Sequence, residues 1–368
     1  VSDATTRHRP GTVLVAGARG VIGEHTARHF AASGWRVVGL ARRPALEPVP
    51  GVHHRRVDLT DATATRQTIA EAALDISHVV YAAVQEDPGL YGGWSSVEHL
   101  ERNLSMLRNT IEPLLDLGAP LQHVTLLQGT KAYGVHLGPR PVPSKEHRPR
   151  DEHLNFYFAQ EDWLRSRRDG APWAITVLRP QIVFGTALGS AMNPVAAIGA
   201  WGSICRELGR PLCFPGGPPH VSEGVDADLV ARVARWAATS AAAHDETFNV
   251  TNGDVFTWRD VWPTIAAALE VDVGPDEPGS LAALLREHRD TWREIVDRHR
   301  LRAPHDIDAF VGQSAIYADG LMAGHRDPRM PVLVSTIKLR QAGFADCCDT
   351  EAMMARHLSD LRRRRFLP

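Results

Sequence analysis

Cysteine is scarce in this chain: four in 368 residues, two of them adjacent at Cys347 and Cys348. Such spacing builds no disulfide framework and suits a reducing compartment, so the cytoplasm is the expected location. Net charge is also nearly absent, at −2 with histidine neutral. Without a dominant basic face, nucleic acid is not an expected partner, and the RRRR run at Arg362 to Arg365 reads as a solvated helix end. No apolar run approaches membrane-spanning length, and the opening VSDATTRHRP is too polar for a secretory signal. Metal ligands are thin. His25 and His29 stand one helical turn apart, but no third ligand of suitable type lies near them in sequence, so no metal site is expected. Ser144, Lys145 and Glu146 sit in a proline-rich loop without nucleophile-base spacing, which leaves hydrolase chemistry unsupported. Met353 and Met354 read as helix packing.

Glycine is present where it carries chemistry. Gly17, Gly20 and Gly23 in TVLVAGARGVIG follow a β-type run and open the amphipathic stretch GVIGEHTARHFAAS. A strand, a tight turn and a helix N-terminus in that order let a pyrophosphate sit against free backbone N–H groups, provided no Cβ blocks its approach. The second strand, WRVVGL, ends in GLARRP with no acid to accept from a ribose 2′-OH. Arg42 and Arg43 suit a 2′-phosphate instead, which points to NADPH/NADP+; a solvated basic turn is the plainer alternative. Asp58, at the end of the third strand, is placed for the adenine amine and equally for an ordinary helix N-cap.

TVLVAG, WRVVGL, HHRRVDL, HVVYAAV, HVTLLQG and AITVLRP read as strands separated by segments of mostly helical periodicity. That alternation predicts an α/β fold, a Rossmann doubly wound parallel sheet, with a smaller, mainly helical substrate domain. The expected boundaries are residues 10–184 for the cofactor domain, with a strand near 246–252 returning to it, and 185–245 plus 253–368 for the second domain. Asn103 and Arg108 are placed on the polar side of the helix NLSMLRNTIEPLLDLG.

The catalytic groups belong where the sheet's C-terminal ends meet the second domain. LLQGTKAYG offers Thr130, Lys131 and Tyr133 after the fifth strand, and LNFYFAQEDWL offers Tyr157 at a helix start. Four residues after Tyr157, where a mainstream short-chain dehydrogenase has lysine, stands Glu161. A cation about 4 Å from a phenol, at an effective dielectric near 20, is worth ~4 kcal/mol, or roughly three pKa units. Tyr157 therefore needs another cation, and Lys131 is positioned to supply it.

At these residues the chain resembles the progesterone 5β-reductase/iridoid synthase family, an atypical branch of extended short-chain dehydrogenases. Lys131 and Tyr133 match its Lys-x-Tyr segment, and Asn155, Phe156, Tyr157, Glu161 and Asp162 match its tyrosine segment. Arg179-Pro180, Phe184-Gly185, Met192-Asn193, FNVTNGDVFTW, TWREIV and the ARRP turn also recur. The resemblance implies NADPH-dependent 1,4-reduction of activated enones, with Lys131 and Tyr157 catalytic. It implies cofactor contacts from Gly17, Arg19, Gly20, Val21, Ile22, Gly23, Arg42, Arg43, Asp58, Leu59, Ala82, Ala83, Gln128, Lys131, Tyr157, Pro180 and Ile182. Substrate contacts are expected from Val84, Gln85, Tyr133, Met192 and Asn193.

Two departures limit the transfer. Val84 and Gln85 stand where plant members commonly carry tryptophan, so a bulky pocket wall is missing; Trp94 and Tyr91 are a substitute wall or an ordinary anchored loop. The loop after Lys131, GVHLGPRPVPSKEHRPR, lacks the usual phenylalanine. Gln128 falls at the family's usual hydroxyl position, with Thr130 the nearest alternative. The expected partner is a small-molecule enone or carbonyl compound, with no nucleic acid or membrane and a homodimer as the assembly to test. Competing readings are a carbonyl reductase, an alcohol dehydrogenase or another extended enzyme such as an epimerase, and a non-catalytic NADP-sensing protein.

Overall fold

A computed structural model describes residues 11–44, 47–72, 75–90, 92–322 and 331–368. Its centre is a parallel sheet of β1 (Thr12–Ala16), β2 (Arg36–Ala41), β3 (Val52–Arg56), β4 (Ile76–Tyr81), β5 (His123–Leu127), β6 (Ala174–Pro180) and, later in the chain, β9 (Glu246–Val250), in the order β3-β2-β1-β4-β5-β6-β9. Every residue of β1, β4, β5 and β6 is buried, as expected for parallel strands covered by helices on both faces. The strand order reverses between β1 and β4, which opens a crevice above their C-terminal ends.

One face is covered by α1 (Val21–Ala32) and α6 (Ala227–Thr239), and the other by α2 (Ala62–Ala72), α3 (Val97–Asp116) and α4 (Phe156–Arg168). A second sheet of β7 (Ile182–Phe184), β8 (Val221–Asp226) and β10 (Val255–Thr257) leads into the helical lobe. That lobe packs α5 (Pro194–Glu207), α7 (Trp258–Leu269), α8 (Leu281–Glu287), α9 (Arg289–Arg298), α10 (Ile307–Val311), α11 (Ser314–Met322) and α13 (Thr350–Arg363) around one apolar core that includes Met353 and Met354. Helix α12 (Ile337–Gln341) instead sends Leu339 into the sheet's core.

Three expectations change here. Residues 227–245, assigned to the second domain, lie with the sheet: Val230, Val233, Ala234 and Ala237 of α6 share a core with Phe30 of α1 and Phe248 of β9. The amphipathic α6 covers a sheet face that α1 alone leaves bare. Asn103 is fully buried rather than on a polar face, because its amide holds a loop, as described below. The RRRR run is solvated only in part: Arg363 and Arg365 are exposed, but Arg362 and Arg364 are not. Arg364 is 9% exposed and pairs with Glu24 of α1 and with Glu47, which ties the C-terminal helix to the cofactor-side helix.

The helical histidines also have structural work. His25 Nε2 accepts from the Thr186 amide at 3.2 Å, so its Nδ1 carries the proton and donates to Asp228 at 2.5 Å. His29 accepts from Arg235. Among the described residues, no helix is long and apolar enough to cross a membrane, and the four cysteines are free thiols.

Candidate active site

The crevice above β1 and β4 continues between the lobes as a cavity of about 1300 Å³. At its cofactor-side end, Gly17 has φ +81°, and a Cβ there would lie 2.8 Å from the Ala82 carbonyl oxygen. Only glycine fits that turn against the end of β4. Gly20 starts α1 without a side-chain cap, and Val21 and Ile22 follow it into the cavity wall, so first-turn amides remain for an anion. Gly23 does not line the cavity as expected. A Cβ there would meet the Gly17 carbonyl oxygen at 2.2 Å, so this glycine serves the packing of α1 on the turn. The arrangement fits a dinucleotide pyrophosphate.

Of the remaining expected cofactor contacts, Arg19, Arg42, Arg43, Asp58, Leu59, Ala82 and Ala83 line this end. Gln128, Pro180 and Ile182 line the stretch toward the second lobe. Arg43 is not a free phosphate ligand. Its Nη1 donates to the Leu188 and Gly189 carbonyls at 3.0 Å, and its Nη2 to the Arg19 carbonyl at 3.3 Å, so it clasps the glycine turn to the second lobe. Arg42 is exposed and faces the cavity. Asp58 accepts from the Thr60 amide and hydroxyl in a local turn, while still lining the cavity; the helix N-cap that was its alternative role falls to Asp61, whose Oδ1 accepts from the Ala64 amide at 2.9 Å.

At the cavity's middle, β5 runs into a turn that carries Lys131, and α4 begins at Phe156 with Tyr157 in its first turn. Asn155 joins the two segments. Its Oδ1 caps α4 by accepting from the Tyr157 amide at 3.0 Å, and its Nδ2 donates to the Lys131 carbonyl at 3.0 Å. Gly129 leaves room for the phenol, since a Cβ there would lie 3.3 Å from Tyr157 Oη.

The electrostatics depart from expectation. Burial first, then Glu86 and Tyr317, push the Tyr157 phenol well up from its ordinary value, opposite to the lowering expected from Lys131. Lys131 itself lies with Nζ 3.8 Å from the Trp94 ring centre, and burial lowers it to about 8 against the opposing Glu86 charge. Glu161, the residue of unexpected sign, points away into an arginine cluster. It meets Arg150 and Arg165 at 3.0 Å and Arg179 at 3.5 Å; burial works against its charge, but these cations outweigh that and hold its carboxyl low.

The expected substrate contacts divide. Val84 and Met192 line the cavity. Gln85, Tyr133 and Asn193 do not. Gln85 is held by its backbone, whose N–H and carbonyl both bond the Asn103 amide; the Tyr133 hydroxyl donates to Asn249 at 2.6 Å, away from the cavity; and fully buried Asn193 caps α5 and bonds the Gly185 and Ala187 carbonyls. Gln128 cannot replace a hydroxyl, because its amide is engaged by Tyr157 O, Glu161 and Arg179. Thr130 lines the cavity and donates to Gln181 at 3.3 Å. Trp94 is a wall, lining the cavity and packing at 5.1 Å on the Tyr157 ring; Tyr91 lies outside the described residues.

Glu86, His136, Phe156, Arg140, Glu223 and Tyr317 also line the cavity, and sequence reasoning passed over their part in it. A carboxylate two residues beyond the Val84 position was the one available signal among them. His136 is kept neutral, at about 4, chiefly by burial and then by Lys131.

Comparison with known proteins decides the lineage. A model described as a PRISE-like Rossmann-fold domain matches residues 74–316. The chain belongs to the PRISE family. It is similar to a 3-oxo-Delta(4,5)-steroid 5-beta-reductase of Arabidopsis thaliana, 31% identical over 327 residues that cover 82% of this chain and 80% of that one. An (S)-8-oxocitronellyl enol synthase of Antirrhinum majus is 28% identical over 380 residues, covering 96% and 92%. A solved structure of the Bordetella bronchiseptica enzyme WbmH in complex with NAD+ superposes with TM-score 0.66 at 15% identity, covering 96% of this chain and 98% of that one; that likeness concerns the fold. This PRISE member is an oxidoreductase of the short-chain dehydrogenase/reductase type.

Proposed function

We propose that this PRISE-family protein is an NADPH-dependent reductase of activated C=C bonds in α,β-unsaturated carbonyl compounds. The observation that carries the reading is the meeting of Lys131 and Tyr157 in one cavity with the glycine turn, although Glu161 occupies the usual lysine position. NADPH, when bound, supplies hydride to the β-carbon of such a substrate. Gly20, Val21 and Ile22 would hold its pyrophosphate, Arg42 its 2′-phosphate, and Pro180 and Ile182 the nicotinamide side of the cavity.

This chain's part in the chemistry is to receive the negative charge that develops on the carbonyl oxygen. Tyr157 stays a phenol across neutral pH, so its O–H remains a donor to that oxygen. Lys131 brings positive charge to the same wall and holds it up to about pH 8. Trp94 and Phe156 exclude water from beside the pair. His136, Arg140 and Glu223 add polar groups to the cavity lining, which favours an enone with polar substituents.

A panel of cyclic and linear enones, aldehydes and ketones, followed by cofactor oxidation with product identification, tests the reading. Saturated carbonyl products support it. Allylic alcohols would replace it with carbonyl reduction.

A further inference from the structure

Glu86 is the buried charge that the proposed reaction has not yet used. Its carboxylate side chain is 2% exposed and lines the cavity. The Trp94 indole N–H donates to Oε2 at 3.1 Å, whereas Oε1 is buried and has no hydrogen-bond partner among the described residues. The backbone beneath it is rigid, because the Asn103 amide accepts from Gln85 N at 2.9 Å and donates to Gln85 O at 3.1 Å. Trp94 thus stands between two charges: its N–H edge holds Glu86 and its ring face carries the Lys131 ammonium at 3.8 Å.

The other charged neighbours are already committed or neutral. Arg102 of α3 pairs with Asp87. His99 of α3 lies 3.6 Å from Oε2 and is kept neutral chiefly by burial; His136, after the Lys131 turn, is neutral for the same reason. Tyr157 of α4 and Tyr317 of α11 are phenols that complete the surroundings. Among the described residues Lys131 is therefore the cation that opposes the burial of Glu86 most strongly, ahead of Arg102.

We propose that Glu86 is a positioning residue of the reducing site, which acts through Trp94 to keep Lys131 charged and keeps Tyr157 protonated beside it. The inference rests on the reading of Lys131 and Tyr157 as the working pair. The directions of titration agree with the geometry. Burial lowers Lys131 and Glu86 opposes that; burial raises Glu86 and Lys131 opposes that; burial raises Tyr157 and Glu86 adds to it. One carboxylate thereby supports both the cation and the proton donor.

The chain has three lysines, Lys131, Lys145 and Lys338, so lysine labelled with 13C and 15N gives three side-chain signals that titrate separately. Lys145→Arg and Lys338→Arg assign them. In the unmodified protein the Lys131 midpoint is expected near 8. Glu86→Gln keeps the size and the acceptor for Trp94 but removes the charge, and should lower that midpoint by about one pH unit, a tenfold change in the protonation ratio. Glu86→Asp should restore most of the shift. If Glu86→Gln does not fold, Trp94→Phe keeps a ring under Lys131 while releasing Glu86, and should move the midpoint the same way.

An unmoved midpoint overturns the role of Glu86 whatever the enzyme reduces. In parallel, the basic limb of kcat/KM for enone reduction should move with the midpoint. A moved midpoint with an unmoved limb takes Lys131 out of the reaction, and so overturns the reading on which the inference rests.

Discussion

Asn155→Ala probes the joint that brings the two working segments together. Asn155 is buried, and one side chain makes two bonds there: Oδ1 accepts from the Tyr157 amide and Nδ2 donates to the Lys131 carbonyl, both at 3.0 Å. Losing an N-cap acceptor costs about 1 kcal/mol. The Lys131 carbonyl still accepts from the Gly134 amide at 3.0 Å, so losing its second bond costs the net worth of one hydrogen bond, about 0.5–1.5 kcal/mol more. The sum, about 1.5–2.5 kcal/mol, should appear as a lower urea midpoint with an unchanged m-value. Asn155→Ser keeps a capping oxygen but cannot span to Lys131, so it should recover about 1 kcal/mol of the loss. Both variants should lose kcat while the affinity for NADPH stays within about threefold, because Asn155 holds the pair and not the cofactor turn. A loss below about 1 kcal/mol for Asn155→Ala, with kcat intact, would show that the two segments are positioned without it.

Arg42→Ala should reduce the preference for NADPH over NADH by about tenfold, measured by titration of both cofactors, whereas Arg43→Ala should lower thermal stability and weaken both cofactors together. Activity should fall as pH rises through about 8, where Lys131 loses its charge, and kcat/KM against pH reads this directly. Burial raises Glu223 to about 7 in the folded state, so the folded protein binds the extra proton and stability should decline between about pH 4.5 and 7. The decline attributable to this group is up to about 3 kcal/mol, and Glu223→Gln should flatten it in urea titrations across that range.

The glycine turn at the cofactor end was legible because its glycines answer a local demand, whereas the engagement of Arg43 by the Leu188 and Gly189 carbonyls, far off in sequence, was not. A φ of +81° at Gly17 and the close packing of Gly23 on the Gly17 carbonyl, six residues away in sequence, leave a glycine signature that needs no distant partner. The Lys131 and Tyr157 segments were legible through their motif and through the wrong sign at Glu161. Motif membership, however, does not say which way a side chain points. Tyr133 matches the motif yet turns to Asn249, and Asn193 matches yet caps α5. Glu86, in the loop after β4, and Asn103, on the amphipathic α3, were hidden for a related reason: a polar residue in a loop or on such a helix reads as exposed until tertiary packing gives it a buried partner. The strands β7 and β10 have three residues each, too short for an alternation to show, and α6 carries no mark of which lobe it covers.

The central claim is that Lys131 and Tyr157 together receive the charge developed in enone reduction, and single-turnover rates with product identification test it most directly. The unmodified protein should yield the saturated carbonyl compound. Tyr157→Phe and Lys131→Ala should each slow hydride transfer, within the ~10²–10⁴ span of acid-base catalysis and nearer its low end for a strongly electrophilic enone. The double variant should lose far less than the product of the two single losses, as for groups acting as one unit. Unmodified single-turnover rates in Tyr157→Phe, or an allylic alcohol as the product, would contradict the account.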